Sequence, residues 1–162
     1  MEIKKQITLN ASFDTVWDIL FNQFDRVGEW TTSVSNSTSN PNAHFVVDGE
    51  NMGGRVCESP FGHTVENFTH FDERDHSFTY EVESGLPSFV KHAQNTWKVT
   101  PRGNKTVVNM HMVMDLNLFP GKLMGPMMRM QMNKIIDGMF EELKHYAETG
   151  KIHPRVLQQQ AA

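Results

Sequence analysis

The side chains of this sequence best placed to do polar chemistry against an apolar wall are Arg55 and Glu66. Between them lies the turn-forming tetrad Ser59-Pro60-Phe61-Gly62, and a hairpin through it sets Arg55 opposite Glu66, Val56 opposite Val65 and Cys57 opposite Thr64. A second turn over Asp72 to His76 sets Glu66 opposite Val82, Phe68 opposite Tyr80 and His70 opposite Phe78. Strand alternation then collects Arg55, Cys57, Glu66, Phe68, His70, Phe78, Tyr80 and Val82 on one face. The other face carries Glu58, His63, Asn67, Thr69, Ser77, Thr79, Glu81 and Glu83. The first face, apolar and aromatic, is the inner one.

Two charges on such a face must pair with each other or with a guest, because an unpaired buried charge is strongly disfavoured. The pair has two readings: it orients the polar end of a ligand, or it is a structural ion pair near the open end of the sheet. General acid–base chemistry, such as an aldol cyclisation or a dehydration, needs a proton acceptor, a donor and an ordered substrate. Glu66, Arg55, Tyr80 and His70 are residue types that supply these. A guanidinium beside Glu66 lowers the carboxyl pKa, however, away from that of a base poised near neutrality, so no catalytic residue is assigned. Cys57 with His70 nearby is a nucleophile candidate, and equally a buried packing cysteine.

Other chemistries lack their motifs. There is no phosphate loop, dinucleotide fingerprint, HExxH or GxSxG pattern, and the histidines show no metal-ligand spacing, so neither a metal nor a cofactor is expected. A formal charge of -4 and a pI near 6.0 supply no basic field for nucleic acid. The single cysteine, Cys57, excludes an internal disulfide and fits a reducing, cytoplasmic setting. No stretch reads as a signal peptide or a membrane span.

The elements that position these residues follow from periodicity. Residues 2 to 10 read as a half-buried strand. Ser12 then stands at an N-cap position, with Asp14 in the first turn and Val16, Trp17, Leu20 and Phe21 at helical spacing. Phe24, Val27 and Trp30 continue a helical or turn-like segment, and Thr31 to Asn42 reads as a long surface loop. From 43 to 116 the chain is strands and turns, the longest being Thr64 to Phe71, Ser77 to Glu83, Val90 to Thr100 and Thr106 to Leu118. In the third, Trp97 points inward with Asn95 beside it; in the fourth, Val108, Met110, Met112 and Met114 point inward. A long amphipathic helix follows, with Met124, Met128, Met132, Ile135, Met139, Leu143 and Tyr146 on one stripe. Gly150 stops it, and the tail 151–162 holds too little apolar content to form an element.

This order resembles the helix-grip (SRPBCC) superfamily of polyketide cyclases and dehydrases, START-type lipid-transfer domains and plant pollen-allergen proteins. The resemblance rests on ASFDTVWDIL, Trp30, GGRVCE, VENFTHFDERDHSFTYEV, NTWKVTPRGNKTVV and the terminal helix, and it runs to about residue 148. It implies an α+β fold: a curved antiparallel sheet of six to seven strands wrapped on the long C-terminal helix, with two short helices after the first strand. One domain over 1–150 and a tail over 151–162 are expected. The expected partner is an apolar or aromatic small molecule, a lipid or polyketide-like compound, entering past the Thr31 to Asn42 loop and the Leu86-Pro87 turn. Phe68, Tyr80, Trp97, Met110, Met112, Met128, Met132 and Ile135 would pack it, and Arg55, Glu66 and Asn95 would orient its polar end. The alternatives are a cofactor-independent cyclase or dehydratase using the same cavity, and a protein-binding module in which the cavity is incidental. Nothing in the pattern sets an oligomeric state.

Overall fold

A computed structural model describes residues 1–59, 62–117, 119 and 121–161, with the side chains of 121 and 122 left aside. The chain runs β1 (Glu2–Leu9), α1 (Phe13–Trp17), β2 (Asn36–Ser39), β3 (Val46–Val47), β4 (Glu50–Asn51) and β5 (Gly54–Ser59). It continues with β6 (Gly62–Asp72), β7 (Ser77–Ser84), β8 (Val90–Arg102), β9 (Lys105–Leu116), α2 (Gly121–Thr149) and α3 (Pro154–Gln160). Seven strands form one antiparallel sheet in the order β1-β9-β8-β7-β6-β5-β2, and β3 and β4 pair separately. The 29-residue α2 packs on this sheet, giving the helix-grip fold. The Pro60-Phe61 turn and the Leu118 end of the fourth long strand lie outside the described residues.

Ser12 caps α1 by accepting from the Thr15 N–H at 3.2 Å. The helix then widens into a π-helical turn over Asp18–Asn22, marked by the Gln23 N–H donating to the Asp18 carbonyl, and a 3₁₀ segment follows over Phe24–Glu29. Together they deliver Ile19, Leu20, Phe24, Val27 and Trp30, all buried, to one side of the sheet.

The first hairpin has the expected register, with Arg55 paired to Glu66 and Cys57 to Thr64. The second follows expectation through Phe68 opposite Tyr80 and then slips: His70 pairs with Thr79 and Phe71 with Phe78. A β-bulge at Thr69 inserts one extra residue and inverts the alternation beyond it. His70 therefore turns out to solvent instead of joining the inner wall, and Phe71 stacks on Phe21 at 4.9 Å between ring centres. Asn67 does lie on the outer face, yet it is buried under residues 40–43, accepting from the Asn40 amide and donating to Glu83.

Two segments expected to be irregular are ordered. The stretch read as a surface loop contains β2, an edge strand on β5, and its first residue, Thr31, is buried. The tail read as elementless forms α3: His153 caps it through Nδ1, Pro154 occupies the first turn, and Val156 is buried. Both are held by Glu142 in α2, itself fully buried. Glu142 accepts from Thr31 Oγ1 at 2.7 Å, Thr32 N at 3.0 Å, Thr32 Oγ1 at 2.7 Å and Arg155 Nε at 2.8 Å. Arg155 further bonds the Gly138 carbonyl and pairs with Glu141, while Gln160 reaches the Gly28 carbonyl.

Burial works to raise the Glu142 pKa, but the hydrogen bonds from Thr31, Thr32 and Arg155 outweigh it and hold the carboxyl below its ordinary value. A depressed folded-state pKa contributes stability that is complete above the unfolded value and lost as pH falls through the folded one. In urea titrations, Glu142→Gln is expected to lose about 2 kcal/mol at neutral pH. Below about pH 5 its stability should fall less steeply than that of the native chain. Phe71→Ala should cost about 2 kcal/mol or more, while His70→Ala should stay within about 0.5 kcal/mol of the parent, the reverse of what uninterrupted alternation demands.

Candidate functional site

Between the sheet, the short helical segments and α2 lies a cavity of about 30 Å³ lined by residues of all three layers. The π-helical turn supplies Ile19 and Leu20, the 3₁₀ segment Phe24 and Val27, and Trp30 closes its end. From the sheet come Arg55, Phe78, Tyr80 and Trp97, and from α2 comes Met139. The volume is room for a solvent molecule or two; small-molecule sites take roughly 300–1,000 Å³. Occupation by a larger guest therefore requires α2 and the short helical segments to draw apart.

One charge is set into this apolar wall. The Arg55 guanidinium carbon lies 4.0 Å from the centre of the Phe24 ring and 4.9 Å from that of Tyr80, a cation–π contact on two sides. Arg55 Nε donates to Glu66 Oε2 at 2.7 Å, Nη2 lies 2.7 Å from the same oxygen, and Nη1 donates to the Phe24 carbonyl at 3.1 Å. Burial disfavours the arginine charge, but the Glu66 carboxylate more than offsets this and raises its pKa above the ordinary value. The pair adds no net charge to the wall. Desolvation pushes the Tyr80 hydroxyl up to about 12 and the Cys57 thiol up to about 11, so both are neutral near pH 7.

Of the residues singled out from sequence, Arg55, Tyr80 and Trp97 come together around the cavity. Glu66 and Phe68 stand directly behind them, Glu66 on Arg55 and Phe68 packed on the Phe24 ring at 4.3 Å. The Asn95 amide donates to the Tyr80 hydroxyl at 3.1 Å, and its Oδ1 is buried without a partner. Met110 and Met112 point inward but fill solid core away from the cavity. Met128, Met132 and Ile135 are only half-buried and stand apart from it. The buried apolar line of α2 is Ile136, Phe140, Leu143 and Ala147, which shares Leu143 with the expected stripe and otherwise lies one position round from it.

The cavity residues that sequence reasoning passed over are those of the helical segments, Ile19, Leu20, Phe24, Val27 and Trp30. The signal for the last three is the three-residue spacing of Phe24, Val27 and Trp30, which marks a helical or turn-like segment without stating which way it faces. Cys57 and His70 are not juxtaposed, since His70 is exposed on the far side of the bulge. Among the described residues no three His, Cys, Asp or Glu side chains gather as a metal site. A more open depression of about 340 Å³ on β1, β8 and β9 carries Lys4, Lys98 and His111, each already paired with Glu2 or Asp75.

The fold recurs in solved structures of low sequence identity. A START superfamily protein from Mycobacterium smegmatis matches with a TM-score of 0.72 at 14% identity, over 93% of this chain and 99% of that one. The protein XoxI from Bacillus cereus matches with a TM-score of 0.66 at 15% identity, over 94% and 99%. An uncharacterised protein from Bacillus thuringiensis matches with a TM-score of 0.63 at 16% identity, over 90% and 97%. No curated protein matches in sequence. No helix among the described residues is long and apolar enough to cross a membrane. The model of the polyketide cyclase / dehydrase and lipid transport family matches residues 1–148, and with the sheet gripping a long C-terminal helix around an apolar cavity, the chain belongs to that family.

Proposed function

We propose that this protein binds an apolar or aromatic small molecule in the cavity between sheet, helical segments and α2, and carries it rather than transforms it. The observation that supports this reading is a single self-neutralised ion pair, Arg55 with Glu66, set into a wall otherwise built of aromatic and aliphatic side chains. Such a wall takes an apolar guest and offers it one polar end. Binding is favoured over cyclisation or dehydration because Glu66 is engaged by Arg55 through one carboxylate oxygen and does not itself line the cavity, so among the described residues no carboxylate faces the guest as a base. Room for the guest is made by side chains able to adapt: Met139 lines the cavity, and Met128 and Met132 flank the core further along α2.

Removing one partner of the pair strands a buried charge, so Arg55→Ala should destabilise the fold by about 3–5 kcal/mol in denaturant titrations. The double replacement Arg55→Met with Glu66→Leu should recover most of that loss, which makes it the variant for ligand tests. Organic-solvent extraction of the purified protein followed by mass spectrometry is expected to release a stoichiometric small molecule. That molecule should be absent from Trp97→Ala and from the double variant. An empty extract, with no thermal shift across a library of apolar compounds, would sink the reading.

A further inference from the structure

Trp30 is the cavity residue whose chemistry is left over. Its side chain is 3% exposed, yet its indole Nε1 is buried with no hydrogen-bond partner among the described residues. Native structures rarely leave a buried donor unanswered, and a phenylalanine or leucine in the same place would fill the wall without that penalty. The other polar groups on the wall are engaged: Arg55 with Glu66 and the Phe24 carbonyl, the Tyr80 hydroxyl with Asn95. The second buried atom without a partner, Asn95 Oδ1, belongs to a residue outside the wall. Among the described residues that line the cavity, Trp30 Nε1 is thus the one buried side-chain nitrogen or oxygen with no partner at all.

Charge narrows the class further. The Glu66 carboxylate sits 2.7 Å from the Arg55 guanidinium, so the site is already balanced. An ionised carboxylate or phosphate guest would bring a surplus charge into a wall whose one cation is already matched by Glu66 behind it, while a neutral oxygen would meet the indole N–H without that cost. Resting on the binding reading above, we infer that the guest is a neutral molecule with a carbonyl-type acceptor oxygen, and that Trp30 Nε1 donates to that oxygen. Trp30 is then the residue that separates a ketone or ester from a hydrocarbon of the same shape.

The test uses three probes of similar size: acetophenone, its hydrocarbon isostere α-methylstyrene, and benzoate. They are titrated into the ¹⁵N-labelled full chain, whose three tryptophans give separate indole N–H resonances, with Trp30→Phe identifying that of Trp30. Acetophenone is expected to bind roughly three- to tenfold more tightly than α-methylstyrene and to move the Trp30 indole proton downfield; the hydrocarbon should not move it. Benzoate should bind more weakly than either. In Trp30→Phe the ketone preference should vanish while α-methylstyrene still binds.

Equal affinities with an unmoved indole, a ketone preference that survives Trp30→Phe, or tightest binding of benzoate would each overturn the inference and leave the binding site standing. If no probe perturbs the Tyr80 or Met139 resonances, the pocket reading falls and the inference with it. Should Trp30→Phe fail to fold, the Trp30 indole resonance is assigned in the native chain by its Overhauser contacts to its own backbone amide, and the comparison of ketone with hydrocarbon at that resonance decides alone.

Discussion

A guanidinium in a protein interior has to be answered on every side, and the way Arg55 is answered organises this molecule. Its carboxylate partner comes from β6, a carbonyl and one aromatic face from the 3₁₀ segment at Phe24, and a second aromatic face from β7 at Tyr80. One side chain on β5 thereby ties two neighbouring sheet positions to the helical segment that crosses them. The hairpin register is also specified by it, since a slip of one residue would send either Arg55 or Glu66 to the opposite face. What the pair contributes is geometry more than stability, because apolar residues of the same volume would bury as well.

The parts of the fold legible in the sequence were those set by local rules. The Ser12 cap, the strands, the Arg55–Glu66 register and the inward set of Trp97, Met110 and Met112 all follow from capping and alternation. The bulge at Thr69 was not found because uninterrupted alternation was carried through the hairpin. A sign of it was there in the spacing of three between Phe68 and Phe71, where a regular strand would have two or four. The α3 helix was missed for a different reason. Its order comes from contacts with residues more than ten positions away, Arg155 with Glu142 and Gln160 with Gly28, and only Val156 among its apolar residues is buried. Tertiary hydrogen bonding of this kind leaves no periodic trace.

The candidate site was legible in its sheet half and not in its helical half. Arg55, Tyr80 and Trp97 were found because strand alternation states which way a side chain points. The π-helical turn over Asp18–Asn22 shifts the phase of everything after it, so the facing of Phe24, Val27 and Trp30 cannot be read from a 3.6-residue period. The stripe on α2 was displaced for a related reason: the methionines mark its flank, while the more shape-specific Ile136 and Phe140 make the contact, Phe140 against the Trp97 ring at 6.0 Å.

The distribution of buried residues along α2 has a mechanical meaning. Every fully buried side chain described on this helix lies at or beyond Ile136, and the Glu142 node pins the same end, whereas Leu123, Met127 and Met130 are exposed and Pro126 interrupts the backbone hydrogen bonding of the first turns. A rigid rod fixed at one end is a lever, and Met139, the cavity residue it carries, sits close to the fulcrum at Glu142. Small rotations there become large excursions at the distal turns. Rates of backbone amide exchange along α2 would consequently form a gradient, slow beyond Ile136 and fast toward Leu123.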